Sequence, residues 1–537
     1  MKSSLKWREK PACFRRYVDL DLPVGASFIY RNNNNMVPTF QGPNAASVIG
    51  YDAFWESQDV VVVGDCASGR YVLIGAVTAF RSLSFFHVEK RGRIVGVEMW
   101  QPSIAAGETP EETVILEGCD WRKLLIEYAR TVAEKMNVAP IADDVKNYCG
   151  YCSWYYYYAG VTEQDLRENI DLLTAKLDKF PTRVVQIDDG YQTFQGDWLD
   201  QRDAWPTPLA EVAAEIEKRG MIPGIWTMPL IASTASRIFH EHPDWFVQNQ
   251  AGEPFIFPGW SPPPDNEWVC LDATRPEVEA HLTNVFKTLR SRGFRYFKMD
   301  ALGFCMPEGK RFDPAATPVS AYRRGLAAVK AAAPDAVFLG CGAPFMASLG
   351  LIDHCRVSQD TLAVWQPGGK SRNAECCSAE ICVANAWHTT AGNWWMFDRY
   401  FRADPDVVIV RQNKSELTIG EARISAMGGI ISGVVITSDN FEHVDPDRFE
   451  LLARSAKLRL HKPVPEKWNP DLWPFAFSGT VDGRQGLALI NDTPEEKTFD
   501  LSEYGLSGEC EEVLQPIGKI GKVLTLASHD AALVVAL

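Results

Sequence analysis

The sequence lacks any stretch that could cross a membrane, because no run approaches the roughly 20 apolar residues that span a bilayer. The N-terminus, MKSSLKWREKPACFRRY, is basic but has no apolar segment of the kind a signal peptide needs. Basic residues are in deficit, with 54 Lys and Arg against 69 Asp and Glu, whereas phosphate binding needs a basic face. We therefore expect no membrane and no nucleic-acid partner, and we expect a cytoplasmic protein.

The sequence also has few of the residue patterns that indicate a metal site or a set of disulfide bonds. The chain has 9 His and no H-E-x-x-H motif, so we expect no metal site. The 13 cysteines are odd in number and scattered, which indicates reduced thiols and not a disulfide framework. Cys149 and Cys152 form a C-x-x-C without a second pair, and we interpret them as two strand thiols.

The 537 residues are 46% hydrophobic, which is typical of a globular protein with several domains. Before residue 140, short alternating runs between turn-rich pieces predict an antiparallel β domain. The segment DWRKLLIEYARTVAEKM has apolar residues at helical spacing and predicts a linker helix. Short strand patterns return after about residue 462. We predict an N-terminal β-sandwich with its linker helix at 1–140, a catalytic barrel at 141–461 and a C-terminal β-sandwich at 462–537.

The middle of the chain alternates strands with helices. The candidate strands are VKNYCGYCSW, TRVVQIDDG, MIPGIWTMPL, FRYFKMDAL, AVFLGCG, DHCRVSQD, GNWWMFD and GVVITSD. Eight strands with intervening helices predict an α/β fold, a (β/α)₈ TIM barrel. An open doubly wound sheet also alternates, but it usually has fewer strands and often a Gly-rich loop after the first, and none follows CGYCSW.

Carboxylates and aromatic residues gather at the predicted strand ends, where TIM barrels place reacting groups. The candidates, in chain order, are Trp154, Asp188, Asp189, Trp226, Lys298, Asp300, Cys341, Arg356 and Asp360. Paired carboxylates such as Asp300 and Asp360 suit glycoside hydrolysis, in which one attacks the anomeric carbon and the other protonates the leaving oxygen. Lys298 shares a strand face with Asp300 and would keep it ionised.

Two other interpretations of these residues stay open at this point. An Asp that ends a strand is often the N-cap of the following helix, although caps do not explain the Lys and Trp partners. The Asp cluster could also bind Mg²⁺ or Zn²⁺.

Eight motifs follow one another in a fixed order at successive strand ends: CSWYYY, VVQIDDGYQ, GDWL, RGMIPGIWTMP, LDATRPEV, FKMD, RVSQD and DPDVVIVR. These motifs resemble those of the α-galactosidase clan, glycoside hydrolase families 27 and 36, and most closely family 36. The resemblance covers most of the chain and also extends to raffinose-synthase-like proteins.

The resemblance implies a role for each matching residue. It implies that Asp300 is the nucleophile and Asp360 the acid/base. The remaining implied substrate-binding residues are Asp188 and Asp189 for the sugar's O4 and O6, Trp226 in the subsite wall, Lys298, Cys341 near O2, and Arg356 beside the acid/base. Trp154 is a candidate from its strand-end position, where its ring, like that of Trp226, could stack on the sugar's apolar face. The motifs depart from the family where Met228 to Leu230 replace a Pro-Glu ending, where Gly342 follows Cys341, and where Ala301 follows Asp300.

These observations predict a retaining α-glycosidase that hydrolyses terminal α-galactosides and requires no cofactor. The alternatives within the clan are an α-N-acetylgalactosaminidase, a transglycosylase or another α-glycosidase. A catalytically inactive carbohydrate-binding protein is the alternative of a different class. The expected partner is an oligosaccharide or glycoside substrate, and because family 36 proteins are often oligomeric, a homo-oligomer stays open.

Overall fold

The computed structural model describes residues 8–10, 15–23, 27–33, 36–41, 56–90, 93–105, 107–141, 147–366, 381–468, 474–515 and 517–537. No helix within these ranges is both long enough and apolar enough to pass through a bilayer.

The N-terminal part of the chain is antiparallel β-structure, as predicted. Its strands are β1 (Arg8–Lys10), β2 (Arg15–Pro23), β3 (Ser27–Asn33), β4 (Met36–Gln41), β5 (Glu56–Gln58), β6 (Val60–Asp65), β7 (Arg70–Ala76), β8 (Phe85–Lys90), β9 (Arg93–Trp100) and β10 (Thr113–Gly118). They form two five-stranded sheets with the orders β1-β2-β9-β8-β5 and β10-β7-β6-β3-β4. The predicted linker helix is α1 (Trp121–Lys135), and the carboxylate of Asp120 caps it by accepting a hydrogen bond from the Arg122 amide.

The middle of the chain supplies a parallel sheet and a small antiparallel one. Its strands are β11 (Tyr148–Cys152), β12 (Val184–Ile187), β13 (Ile222–Thr227), β14 (Ile231–Ser233), β15 (Phe257–Pro258), β16 (Glu267–Cys270), β17 (Tyr296–Met299), β18 (Val337–Gly340), β19 (His354–Arg356), β20 (Arg402–Asp404) and β21 (Val434–Thr437). The eight-stranded sheet has the order β20-β19-β18-β17-β13-β12-β11-β21, and β14-β16-β15 form the antiparallel sheet. The predicted TIM-barrel fold is confirmed.

Helices follow the barrel strands. They are α2 (Trp154–Tyr157), α3 (Glu163–Thr174), α4 (Leu209–Lys218), α5 (Arg237–Glu241), α6 (Pro276–Ser291), α7 (Pro318–Ala332), α8 (Phe345–Ser348), α9 (Val383–Gly392), α10 (Ile419–Ser432) and α11 (Pro446–Lys457). Thr162, Thr317 and Thr418 each form a capping box at the start of a helix. These hydroxyls satisfy amides that the first helical turn leaves without a backbone partner.

The prediction for the seventh barrel strand is wrong. Residues Trp394–Met396 of the GNWWMFD segment form a short 3₁₀ helix, and the barrel strand is β20 instead. The apolar run is buried because Trp395 packs against Tyr128 and donates a hydrogen bond of 2.8 Å to the Tyr30 hydroxyl. The segment is therefore rich in aromatic residues for packing, which sequence periodicity does not separate from strand formation.

The C-terminal part of the chain is again antiparallel. Its strands are β22 (His461–Trp468), β23 (Pro474–Val481), β24 (Arg484–Asn491), β25 (Lys497–Asp500), β26 (Cys510–Glu512), β27 (Gly518–Ile520), β28 (Val523–Leu526) and β29 (Asp530–Ala536). They form a six-stranded sheet, β22-β23-β24-β29-β26-β27, and the pair β25-β28. Its core includes Leu487, Leu489, Phe499 and Val534.

By packing, the described chain divides into two compact units. The first unit is residues 1–148, 357–435 and 444–537, and the second unit is 149–356 and 436–443. The division into domains at 1–140, 141–461 and 462–537 stays a proposal.

Candidate active site

Strand register aligns several candidate residues in the second unit. β13 and β17 run parallel with Trp226 opposite Lys298, and β11 and β12 pair Cys152 with Gln186. Asp300 follows directly after β17, and its amide donates a hydrogen bond of 2.8 Å to the carbonyl of Thr227. The parallel register thus sets the nucleophile candidate beside the end of the strand that carries Trp226.

Both carboxylate oxygens of Asp300 accept a hydrogen bond. Trp226 Nε1 donates to Oδ2 at 3.0 Å, and the amide of Ala301 donates to Oδ1 at 2.7 Å. Ala301 has φ of 57°, in the left-handed region that a non-glycine residue rarely occupies. Backbone strain of this kind is found at functional sites, and here it directs an amide at the carboxylate.

Lys298 lies between two carboxylates. Its Nζ is 3.0 Å from Asp188 Oδ2 and 4.0 Å from Asp300 Oδ2. Its side chain is 7% exposed, so this is a buried ion pair with a second carboxylate nearby. Burial lowers the pKa of Lys298, but its carboxylate neighbours, Asp188 foremost, raise the pKa well above its usual value and keep the ammonium charged.

The surroundings of Asp300 favour its ionised form. Burial raises the pKa of Asp300, but the charges of Lys298 and Arg356 and hydrogen bonds from Cys341 and Trp226 lower the pKa below its ordinary value. Its side chain is still 19% exposed, so the carboxylate can be reached. A carboxylate that is ionised, oriented and accessible is what a nucleophile requires.

Asp188 and Asp189 differ in their surroundings. Asp188 Oδ2 accepts hydrogen bonds from Lys298, from the Cys152 thiol at 3.2 Å and from the Gln186 amide. Asp189 Oδ1 accepts one from Gln192 at 2.6 Å.

Burial is the main cause that raises the pKa of Asp189 to about 6, and the charge of Asp188 adds to it. Gly190 follows with φ of 120°, and a Cβ there would lie 3.0 Å from the carbonyl oxygen of Ala159. The turn after the acidic pair therefore requires glycine.

Arg356 and Cys341 complete the surroundings of Asp300. Arg356 ends β19, is buried, and donates a hydrogen bond of 3.4 Å to the Tyr155 hydroxyl. Cys341 follows β18 and is fully buried, and its amide donates to the carbonyl of Met299 at 2.8 Å. Both residues lower the pKa of Asp300, although Cys341 acts through a single hydrogen bond.

Trp154 and Asp360 are the remaining predicted site residues. Trp154 begins the short helix α2, is half-buried, and packs edge-on against Tyr158. Asp360 lies in the first unit, four residues after the end of β19, in a segment without helix or strand. The next amide, that of Thr361, donates a hydrogen bond of 2.8 Å to Asp406. The roles of Trp154 and Asp360 stay predictions.

Sequence reasoning missed several polar residues of the site. Gln186 and Cys152 hold Asp188, Gln192 holds Asp189, and Tyr155 contacts Arg356. Gln186 could have been found, because it precedes Asp188 by two residues in the predicted strand TRVVQIDDG, as Lys298 precedes Asp300 in FRYFKMDAL. Cys152 is the last residue of β11, and Gln192 and Tyr155 follow strand ends, where no periodicity indicates direction.

The sequence left two other roles open for the Asp residues, as helix N-caps and as metal ligands, and the geometry bears on both. The α-helices after β12 and β17 are α4 and α7, whose N-caps are Pro208 and Thr317. The 3₁₀ helix Leu302–Cys305 also follows β17, and its N-cap is Ala301, so Asp188, Asp189 and Asp300 cap none of these helices. Within the described residues, no three His, Cys, Asp or Glu side chains are grouped as a metal site needs.

Comparison with known proteins supports the same family. Residues 179–317, which include both acidic segments, match the Melibiase family model. "Alpha-galactosidase Mel36A" of Lactobacillus acidophilus is 23% identical over 201 residues, which are 36% of this chain and 26% of that protein. In this segment the chain is similar to members of the α-galactosidase clan.

Two further proteins are similar to this chain. "A type blood alpha-D-galactosamine galactosaminidase" of Flavonifractor plautii is 26% identical over 147 residues, 26% of this chain and 14% of that protein. The α-galactosidase TtGalA of Thermus thermophilus, solved with p-nitrophenyl α-D-galactopyranoside, superposes with a TM-score of 0.69 at 23% identity, covering 89% of this chain and 95% of that one. The chain matches about a quarter or less of the length of the two curated relatives.

Proposed function

We propose that this protein is a retaining α-glycosidase that hydrolyses terminal α-galactosides. In this proposal Asp300 is the nucleophile and Asp360 the acid/base. Asp188 and Asp189 bind sugar hydroxyls, while Trp226 and Trp154 face the apolar side of the ring. Lys298, Cys341 and Arg356 complete the substrate-binding residues.

The observation that carries the proposal is the environment of Asp300. A strand-end carboxylate oriented by Trp226 and Ala301, with Lys298 nearby, has its pKa lowered while staying accessible. Lys298 Nζ lies at hydrogen-bond distance, 3.0 Å, from Asp188 Oδ2 but 4.0 Å from Asp300 Oδ2. The lysine thus pairs with one carboxylate and leaves the other ionised for attack.

The reaction has two steps, each with balanced bond changes. In the first, an oxygen of Asp300 attacks the anomeric carbon while the bond to the leaving oxygen breaks, and Asp360 donates a proton to that oxygen. In the second, Asp360 takes a proton from water as the water oxygen attacks the same carbon and releases Asp300. Two inversions restore the original configuration.

The identity of the sugar rests on the clan. The L. acidophilus relative is named an α-galactosidase, and the F. plautii relative a galactosaminidase. Both sugars share the axial O4 that Asp188 and Asp189 would bind, so the acidic pair supports either. We propose galactose because the T. thermophilus structure, which covers most of this chain, holds an α-galactoside, and a second holds stachyose.

The proposal is tested with p-nitrophenyl α-glycosides of galactose, N-acetylgalactosamine, glucose and mannose. We expect fastest turnover of the galactoside, and NMR should show the α anomer of galactose as the first product. Asp300→Asn should lower kcat by at least about 10³-fold, since the nucleophile is lost. Asp178→Asn, at an exposed carboxylate, is the matched control and should leave kcat unchanged.

Two results would overturn parts of the proposal. Release of the β anomer first would show inversion and remove the covalent intermediate. Sugar binding without turnover of any glycoside would favour the inactive carbohydrate-binding protein. Galactosyl transfer to a second sugar in preference to water would instead make the enzyme a transglycosylase.

The compartment and the substrate partner are also part of the proposal. Ten cysteines in the described ranges are free thiols, eight of them buried, which fits a reducing compartment such as the cytoplasm. The substrate partner is an oligosaccharide that ends in α-galactose.

A further inference from the structure

An exposed group of aromatic rings lies on the second unit. It consists of Phe255, Phe257, Trp260, Trp268 and Phe304, which we call the aromatic patch. Trp260 is 52% exposed and Phe304 is 50% exposed, whereas Trp268 beneath them is fully buried. Large aromatic rings that are half exposed and grouped mark binding surfaces more often than single exposed rings do.

The rings of the aromatic patch fix one another in place. Trp260 stands edge-on against Trp268 with ring centroids 4.3 Å apart, and Phe304 is stacked on Phe257 at an interplanar angle of 5°. Gly259 lies flat on the Trp268 ring, where an added Cβ would come within 2.2 Å of a ring carbon. A surface already ordered in this way loses little side-chain entropy when a ligand binds.

One connection leads from the aromatic patch to the acidic pair. Gln192 donates to Asp189 at 2.6 Å and to the Gln195 side-chain oxygen at 3.1 Å. Gln195 in turn donates to the Ser261 hydroxyl at 3.4 Å, and Ser261 is the residue after Trp260. The loop that carries Trp260 is therefore tied by side-chain amides to a proposed sugar-binding carboxylate.

A second connection leads to the proposed nucleophile. Phe304 lies on the 3₁₀ helix Leu302–Cys305, which begins two residues after Asp300. The strained Ala301 backbone turns the chain at this point, and the Phe304 amide donates to the Ala301 carbonyl at 2.9 Å. Both ends of the aromatic patch are thus continuous with residues of the candidate site.

We propose that the aromatic patch binds the leaving-group saccharide of the substrate, beyond the galactose that is released. The inference rests on the proposed function, since it assigns a surface to the part of an α-galactoside that the reacting residues leave unbound. Trp260 and Phe304 present flat apolar faces to the C–H faces of pyranose or furanose rings. The half-buried side chain of Ser261, next to Trp260, offers a hydrogen-bond partner to sugar hydroxyls.

The proposal predicts a dependence on the length of the leaving group. The test compares kcat/KM for α-galactosyl fluoride, whose leaving group is one atom, with kcat/KM for stachyose, a tetrasaccharide. Trp260→Leu and Phe304→Leu keep apolar volume but remove the flat ring. Each should lower kcat/KM for stachyose by about tenfold and for the fluoride by less than about twofold.

Two further variants serve as controls. Trp260→Phe should retain most of the activity on stachyose because a flat ring remains. Phe312→Leu removes another exposed ring of the second unit, whose centroid lies 5.2 Å from Cζ of Arg275. This variant should change kcat/KM for neither substrate.

The outcomes separate this inference from the proposed function. If the wild-type protein hydrolyses both substrates and the patch variants slow both equally or neither, the inference is wrong and the proposed function stands. If light scattering shows that the same variants dissociate an oligomer without any effect of substrate length, the aromatic patch is a subunit interface. If the wild-type protein neither hydrolyses the fluoride nor binds stachyose in a calorimetric titration, both proposals fail.

Discussion

Trp226 Nε1 donates a hydrogen bond of 3.0 Å to Oδ2 of Asp300. The indole is 2% exposed, and Trp198 packs edge-on against it with ring centroids 5.7 Å apart, so its direction is fixed. This side chain thus orients the proposed nucleophile, and in the proposed function it also faces the sugar. The two roles can be separated by substitution.

Trp226→Phe keeps an aromatic ring and removes the hydrogen bond. We expect kcat/KM to fall about tenfold or more, because a hydrogen bond to a charged group contributes roughly 1.5–3 kcal/mol. The acid limb of the pH profile should also move to higher pH, since this bond helps to lower the pKa of Asp300. Trp198→Phe is the control and should leave the acid limb in place, and a shift there would contradict the account.

Lys298→Met removes the cation between Asp188 and Asp300. Because a buried carboxylate loses its partner, the free energy of unfolding should fall by about 3–5 kcal/mol. The pKa of Asp300 should rise, and with it the acid limb of kcat/KM. Lys330→Met breaks a half-exposed pair with Asp353 and should cost less than about 1 kcal/mol.

A double variant separates stability from activity at the same residues. Adding Asp188→Asn to Lys298→Met removes the unpaired charge, so thermal unfolding should recover toward the wild-type Tm. Activity should not recover, because both sugar contacts are lost. Recovery of kcat in the double variant would show that Lys298 serves the fold alone.

Asp189→Asn should stabilise the protein and abolish sugar binding. The pKa of this carboxyl is raised by burial to about 6, so the folded state binds its proton more tightly than the unfolded chain. The stability that this tighter proton binding contributes is fully present below the pKa that Asp189 has in the unfolded chain. It is lost as the pH rises through about 6, the pKa in the folded protein. The substitution should therefore raise the free energy of unfolding more at pH 8 than at pH 5, by about 1 kcal/mol, and the gain in Tm should be larger at pH 8 as well. An equal gain at both pH values would contradict this explanation.

Asp360→Ala tests the acid/base. The variant should hydrolyse stachyose far more slowly than the wild type but lose much less on α-galactosyl fluoride, because only the poor leaving group needs a proton. Azide should partly rescue the fluoride reaction and yield a galactosyl azide, since the intermediate on Asp300 still forms. Equal losses on both substrates without azide rescue would assign the role to another residue.

The barrel and the cluster around Asp300 were predictable because strand periodicity and strand ends are local features. Lys298 and Asp300 are two residues apart in the predicted strand FRYFKMDAL, so the expectation of a shared face follows from the β pleat. That Lys298 lies nearer to Asp188 than to Asp300 depends on the register between strands and was not predictable from either segment.

The seventh strand and the aromatic patch show what local patterns leave out. β20 has only three residues, Arg402 to Asp404, and two of them are charged, so no apolar run marks it. The aromatic residues of 394–396 fill a core with Tyr30 and Tyr128 instead. Trp260 and Phe304 are far apart in sequence, and only the folded chain places their rings 6.0 Å apart.

The central claim is that Asp300 forms a covalent bond to the substrate. Incubation with a fluorinated galactosyl fluoride, which slows hydrolysis of the intermediate, followed by peptide mapping, tests it most directly. We predict a mass increase of one fluorogalactosyl group on the peptide that contains FKMD, and none in Asp300→Asn. Labelling of a different carboxylate, or turnover by Asp300→Asn at the wild-type rate, would contradict the account.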